Sequence, residues 1–430
     1  MKKVSFHTFG CKLNQTETSF LENEFTKRGY RSVAIEEPAD YVVINTCTVT
    51  ARTDYKCRQL IRRVRKTSPD AKIVVVGCYA QMDPERLKSI PGVNLILGAD
   101  RKFNIFDYLE NGKPANGIIE ETGDNEKFID STPELFSGKT RAFLKIQDGC
   151  NSFCSYCIVP YARGRSRSDL PENVIANVEK LVANGYREIV LTGVHIGKYG
   201  QDLQPSISLF TLLRQLLEIR GLGRIRLSSL EPKEIDDDLI DLIAKNEKIC
   251  PHFHVPLQSG DDEILRKMRR HYSVTEYKNI IEKIVCRIPK VGLGTDVIVG
   301  FPGEMDRHFE NTKKFIESIP FTYLHVFSFS DRPGTDAYNM REKIDASAKK
   351  ERSALLIQIA GEKKAEFYRK AVGGYFDVLF EDEVPGRWMY GFTENYIRVR
   401  SAKKADLFNK IKQINVSSAD NNFVLANVLD

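Results

Sequence analysis

The residues best suited to chemistry are cysteines at fixed spacing. In DGCNSFCSYCIVPYARGRSRS, Cys150, Cys154 and Cys157 form a C-x3-C-x2-C set directly after an apolar run, RAFLKIQ. Three thiolates on one short loop can hold a metal centre, and soft sulfur ligands select zinc or an iron–sulfur cluster. A closed zinc site wants a fourth Cys or His close by, and the nearest downstream histidine, His195, belongs to another unit of the pattern. Three cysteines leave one iron of a four-iron cluster open, free to chelate a small molecule. A zinc loop or a group of free thiols is the plainer alternative.

Three further cysteines are Cys11 in TFGCKLNQTE, Cys47 in INTCTVT and Cys78 in VVVGCYA. Each follows an apolar strand-like run and precedes helical sequence, so all three are expected at the carboxyl edge of one parallel sheet, where such sheets bind ligands. Taken singly, each could be a buried cysteine packing as a small hydrophobe. The same strand-end position three times argues instead for a second cluster with an open iron. Cys57, Cys250 and Cys286 lie in helix-like or strand-edge settings without partners and are read as structural.

The elements that must position these thiols fall into three blocks. Residues 1–130 alternate short apolar runs with helical segments, a βα repeat that builds a parallel sheet. The stretch from Glu110 to Gly138 is polar, with Pro114 and Pro133, and reads as a linker. In residues 131–370, RAFLKIQ, REIVLTG, RIRLSS, HFHVP, GLGTDVIVG and YLHVFSF are strands separated by helices, which predicts a partial (βα)6 barrel with its reactive site at the carboxyl strand ends. A long charged helix ends near Ala371. Residues 371–430 then give five short strands without helical spacers, a small antiparallel barrel. The fold class is α/β throughout the first two blocks.

With 430 residues, 42% hydrophobic and 28% charged, the composition is that of a globular chain and excludes disorder. A net charge of +6 is too small for a histone-like binder and fits a local basic surface. Arg52, Lys56, Arg58, Arg62, Arg63, Arg65 and Lys66 crowd one predicted helix, and Arg163, Arg165 and Arg167 follow the cysteine loop. These meet phosphate or form a solvated face. No run of eighteen apolar residues occurs and no secretion leader is evident, so a cytoplasmic protein with reduced thiols, no membrane and no presumed disulfides is expected.

The cysteine loop resembles the signature of the radical S-adenosylmethionine (SAM) superfamily. The N-terminal three-cysteine block, the loop and the C-terminal small barrel, which is similar to the RNA-binding TRAM domain, together resemble the methylthiotransferases over nearly the whole chain. That resemblance implies two 4Fe–4S clusters, on Cys11, Cys47 and Cys78 and on Cys150, Cys154 and Cys157. It also implies one SAM as methyl donor, one as radical source, an external electron donor, and replacement of a C–H bond by C–SCH3. In the superfamily Tyr156 would pack near the adenine, and Gly193 and His195 in TGVHIG would meet the methionine amine. A tight strand-to-helix turn is the other reading of TGVHIG. Ser229 and Glu231, Gln258, and Asp296, Ile298 and Gly300 mark the next strand ends as SAM contacts or as ties to loop backbone.

Family branches act on two modified adenosines beside the tRNA anticodon or on an aspartate of a ribosomal protein. GCKLNQTE and QDGCNSFCSYCIVPYARG look most like the branch acting on N6-threonylcarbamoyladenosine. Lys12, Asn14 and Gln15 depart from the isopentenyladenosine and ribosomal patterns, and the threonyl carboxylate calls for a basic partner. Arg332, at the last strand end, suits a carboxylate or phosphate. Arg62, Arg63 and Arg65 are placed against the tRNA backbone. An iron–sulfur or zinc RNA-binding protein without catalysis is the reading from another class.

Overall fold

The computed structural model describes residues 1–110, 127–136, 138–381 and 386–429. The first block is a five-stranded parallel sheet of β1 (Lys3–Thr8), β2 (Arg31–Val33), β3 (Tyr41–Thr46), β4 (Lys72–Gly77) and β5 (Val93–Leu97), ordered β2-β1-β3-β4-β5. The near-continuous apolar runs YVVINT and KIVVVG form the central strands because both faces are covered, one by the helix Lys12–Lys27 and one by Ala51–Thr67. The short edge strand β2 is an addition to the expected pattern. Most of the linker lies outside the described residues. Its far end is packed, with Asn23 bonding the backbone of Glu134 and Leu135 and Phe136 buried against Tyr186.

The second block contains the six expected strands, β6 (Arg141–Lys145), β9 (Glu188–Thr192), β10 (Arg224–Leu227), β11 (His252–His254), β12 (Gly292–Val299) and β13 (Tyr323–Ser328). They run parallel in the order β6-β9-β10 and β11-β12-β13, and bridges from Ile225 to Ile249 and Ser229 to His254 join the halves. The run RAFLKIQ does not continue as one strand. It breaks at Ile146, and Gln147–Asp148 (β7) pairs antiparallel with Arg167–Ser168 (β8), closing the base of the cysteine loop.

The six-stranded sheet is open between β6 and β13, and the first block fills the opening. Thr16 donates to the Phe143 carbonyl on one edge (3.1 Å). Beyond the other edge, Ala51 N–H donates to Ser330 Oγ (2.9 Å) and Arg332 reaches Thr48. Unpaired edge groups are thereby satisfied.

After the helix Ala346–Lys370, β14 (Tyr375–Glu381), β15 (Trp388–Thr393), β16 (Arg398–Ala402), β17 (Ile411–Ala419) and β18 (Val424–Val428) close into a barrel ordered β14-β15-β16-β18-β17. One pair departs from the antiparallel expectation: β16 and β18 run parallel. Five strands can close with strictly alternating directions at no more than four of their five seams, so one parallel seam is unavoidable.

Candidate functional site

The partial barrel inverts the usual pattern, in which apolar side chains fill the interior. Along β9 to β13 the apolar members Ile189, Leu191, Ile225, Leu227, Phe253, Leu293, Val297 and Leu324 join the core beneath the helices. The alternate members bond to one another between nearby strands on the interior face: Glu188 with Arg224 and Arg226, His252 with Tyr323, and Asp296 with His254 and His325. Buried polar groups on this scale are held by partners or by a ligand.

At the carboxyl strand ends a cavity of about 190 Å³ is lined by Tyr156 and Cys157 of the loop, Gln258, Asp296 and Ile298 of the barrel, and Val49 and Thr50 just after Cys47. Four of the nine residues assigned to SAM from the sequence thus share one wall. His195 and Glu231 line a neighbouring cavity of about 150 Å³ with Cys154. His195 Nδ1 is 3.6 Å from Cys150 Sγ, and its other nitrogen faces Glu234. The remaining three are occupied locally. Ser229 Oγ pairs with His254 (2.7 Å), Gly193 packs against Gln147, and Gly300 N–H donates to the Glu304 carboxylate.

The loop thiols sense one another. Burial, then the neighbouring Cys154, push the Cys157 thiol up to about 12. Burial alone would also raise Cys150, but hydrogen bonds from His195 and Ser152 hold it below its ordinary value. Gly149, immediately before Cys150, has φ +69, and a Cβ there would fall 1.9 Å from the Arg165 carbonyl, so only glycine permits this closure. In the first block, burial and then Cys78 and Cys11 raise the Cys47 thiol to about 12. Gly10 (φ +106) lets Cys11 approach, since a Cβ would lie 2.4 Å from Cys47 Cβ.

Four zinc-bound sulfurs at about 2.3 Å from the ion would stand about 3.8 Å apart. Among the described residues only His254, Asp296 and His325 have three ligand atoms within 4.8 Å of one another; neither cysteine set is that tight. The wider sets suit a multi-iron cluster rather than one ion. Cys57 and Cys250 are buried, whereas Cys286 is exposed on its helix.

A buried ionic cluster ties the two thiol-bearing segments together. Arg163 donates to Glu17 (2.9 Å), Asp148 (3.0 Å) and Asn14 Oδ1 (2.7 Å); Lys102 reaches Glu17 (2.5 Å), and Arg167 pairs with Asp100 (3.1 Å). Arg163 and Arg167 are therefore interior, against their reading as surface cations. Asn14 is corrected as a substrate contact too. Its amide donates to the Phe9 and Thr46 carbonyls while its oxygen accepts from Arg163, leaving it to hold the Cys11 and Cys47 segments. Gln15 accepts from Lys139 (2.9 Å) in a separate groove beside Arg141 and Glu381.

Arg332 is likewise not open to a substrate. It donates to Thr48 O (2.9 Å), Thr48 Oγ1 (3.0 Å) and Asp54 (2.5 Å), joining the barrel to the Cys47 segment. Arg65 donates to the Pro69 and Gly92 carbonyls. Arg62 is exposed, and Arg63 lies 3.6 Å from Glu36 in an exposed pair. Lys12 points into the barrel, where its electrostatic neighbours are Tyr396, Arg141, Arg226 and Glu188.

Arg270 is a site residue that sequence reasoning misses. It donates to Cys154 Sγ (3.4 Å), to Tyr272 Oη (3.2 Å) and to Glu231. Nothing in KMRRHY distinguishes it from the surface arginine beside it.

Residues 3–98 match the model of the Uncharacterized protein family UPF0004, and residues 144–316 match that of the Radical SAM superfamily. The chain is 41% identical to the Threonylcarbamoyladenosine tRNA methylthiotransferase MtaB of Aquifex aeolicus, over 93% of this chain and 96% of that one. It is 38% identical to the protein of the same name in Bacillus subtilis (97% and 94%). It is 35% identical to a tRNA-2-methylthio-N(6)-dimethylallyladenosine synthase of Clostridium botulinum (91% and 90%). Among solved structures, the radical SAM methyltransferase TsrM of Kitasatospora setae has a TM-score of 0.55 at 16% identity, covering 78% of this chain and 77% of that one, a likeness of fold. Enzymes of this type use SAM and 4Fe–4S clusters, which the two wide thiol sets fit. The chain belongs to the radical SAM methylthiotransferase family.

Proposed function

We propose that this protein places a methylthio group on carbon 2 of N6-threonylcarbamoyladenosine in tRNA. The observation that carries the reading is a cavity at the carboxyl strand ends whose walls include Cys157 of one three-thiol set and Val49 and Thr50, which directly follow Cys47 of the other. Identity to the MtaB relatives over nearly the full chain supports the choice of branch.

Cys150, Cys154 and Cys157 would hold one cluster and Cys11, Cys47 and Cys78 the other. When bound, the cofactors would supply one-electron cleavage of SAM to a carbon radical, a cluster-borne sulfur for transfer to the base, and a methyl donor for that sulfur. The chain's own residues bind and orient. Tyr156 and Ile298 give an apolar wall for a flat base, Gln258 and Asp296 offer polar groups beside it, and His195 hydrogen-bonds the Cys150 sulfur. Arg270 and Glu231 sit beside Cys154, where a zwitterionic amino-acid end finds both charges. An external electron donor completes the proposal. No helix among the described residues is long and apolar enough to cross a membrane. A tRNA substrate would put the reaction in the cytoplasm.

The experiment is reconstituted protein, reductant and SAM with tRNA bearing threonylcarbamoyladenosine, isopentenyladenosine or neither, read by nucleoside mass spectrometry. Methylthiolation of the first is expected to dominate. Faster reaction of isopentenylated tRNA, or none without a ribosomal protein, would overturn it.

A further inference from the structure

The barrel's amino-terminal mouth is sealed by the small barrel. Arg224 donates to the Asp377 and Phe392 carbonyls and Arg226 to those of Thr393 and Glu394, all at 2.9–3.0 Å. The turn between β15 and β16 places Tyr396 in a left-handed conformation (φ 72), with its ring 4.8 Å from His252, 5.7 Å from Tyr323 and 5.0 Å from the Arg226 guanidinium. The result is a polar barrel interior with a closed floor. Its wall runs from Arg226 and His252 past Tyr323, which stacks on both His252 and His254, up to Asp296 at the reactive cavity.

Lys12 enters this interior from the first block, and its charge is unbalanced there. Its electrostatic neighbours include the guanidinium groups of Arg141 and Arg226 and the ring of His252. The neighbouring carboxylate, Glu188, already accepts Arg226 at Oε1 (2.8 Å) and Arg224 at Oε2 (2.6 Å). Arg141 has Glu381 at 2.7 Å. Among the described residues the Lys12 ammonium makes no hydrogen bond or ion pair, while its backbone carbonyl accepts from the Thr16 hydroxyl (3.1 Å). A partly dry ammonium beside two guanidinium groups is costly unless an anion joins it.

We propose that Lys12 is the receptor for the carboxylate of the N6-threonylcarbamoyl substituent, and that the polar barrel interior is the pocket for that substituent. This rests on the function proposed above. The carboxylate is the only anion on the modified base. N6 and carbon 2 flank N1 on one edge of adenine, so a substituent on N6 and a sulfur arriving at carbon 2 approach from the same side. Lys12 and Cys11 are consecutive in the chain, which matches that adjacency. The carboxylate of SAM would find a separate cation in Arg270, beside Cys154 at the opposite, carboxyl end of the barrel.

The test compares wild type, Lys12→Met and Lys12→Arg on two substrates: tRNA with threonylcarbamoyladenosine, and the same tRNA with its threonyl carboxylate converted by carbodiimide coupling to the methylamide. The readout is the ratio of kcat/KM for acid over amide within each protein, which cancels any general loss of folding or cluster content. Removing one partner of a desolvated charge pair typically costs about 30-fold or more. Wild type should prefer the acid by roughly that factor, Lys12→Met should show a ratio near one, and Lys12→Arg should keep most of the preference. The KM for SAM should be unchanged in Lys12→Met. A Lys12→Met ratio equal to that of wild type, or a raised KM for SAM with the ratio intact, would overturn the proposal by assigning the anion elsewhere. Failure of wild type to methylthiolate threonylcarbamoyladenosine at all would overturn the proposed function instead.

Discussion

Glu17 shows what single residues do here, because its carboxylate is fully buried and bonded by Arg163 and Lys102 with Lys145 3.8 Å away. Burial would raise its pKa, but Arg163, Lys102 and Lys145 together push it down to about 2. A depressed carboxyl contributes stability that is complete above its unfolded value near 4.5 and is lost as pH falls toward 2. Glu17→Gln leaves three cations short of a partner, and a loss of about 3–5 kcal/mol is expected in urea denaturation at pH 7, shrinking as the pH is lowered. The thiols make a second residue-scale case. Changing Cys11, Cys47 and Cys78 to Ala should leave SAM cleavage, measured as 5′-deoxyadenosine release, and abolish methylthiolation, whereas Cys154→Ala should remove both. Iron should fall from about eight per chain to about four in the first variant.

The helix Ala51–Thr67 carries two populations of arginine and lysine that only their surroundings distinguish. Arg52, Lys56, Arg63 and Lys66 recur at helical spacing on the exposed side, while Arg58 bonds Tyr79 and Arg65 bonds loop carbonyls. Neutralising these four together with the exposed Arg62 should weaken tRNA binding and flatten its salt dependence by roughly 0.7–0.9 in slope for each phosphate no longer neutralised. Arg65→Ala should lower the melting temperature and leave that slope unchanged. The small barrel offers a companion surface, where Arg400 lies over Trp388 (4.6 Å) and Phe423 (3.8 Å) and Arg398 over Tyr390 (5.2 Å). Such interleaving of cations and aromatic rings suits single-stranded bases.

At the scale of the molecule, three blocks enclose one space: the first fills the open side of the partial barrel and the small barrel closes its floor. Arg332 with Thr48 and Asp54 is the tie beside the reactive cavity, and burial leaves the Asp54 carboxyl raised despite its arginine partner. Arg332→Ala should leave SAM cleavage nearly intact while product formation falls about tenfold or more, because a small misplacement of the two thiol sets disrupts the reacting geometry. In that variant 5′-deoxyadenosine accumulates without methylthiolated tRNA. Equal loss of both products would mean that the tie holds the barrel itself.

The parallel sheet, six barrel strands and small barrel were legible because alternation and apolar runs are local properties of the chain, as was the cysteine spacing in the loop. The strand-end logic also placed Tyr156, Gln258, Asp296 and Ile298 together, since side chains at successive strand ends point into one mouth. What the sequence could not assign was the partner of each charged residue. Arg332, Arg163 and Asn14 looked available and are bonded across 278, 146 and 149 positions respectively, while Arg270, which the sequence did not single out, meets the Cys154 sulfur. An arginine carries the same charge in every setting. Whether it serves a substrate, a fold or a thiol depends on which groups long-range packing brings within about 3 Å, and that is decided only when the three blocks close on one another.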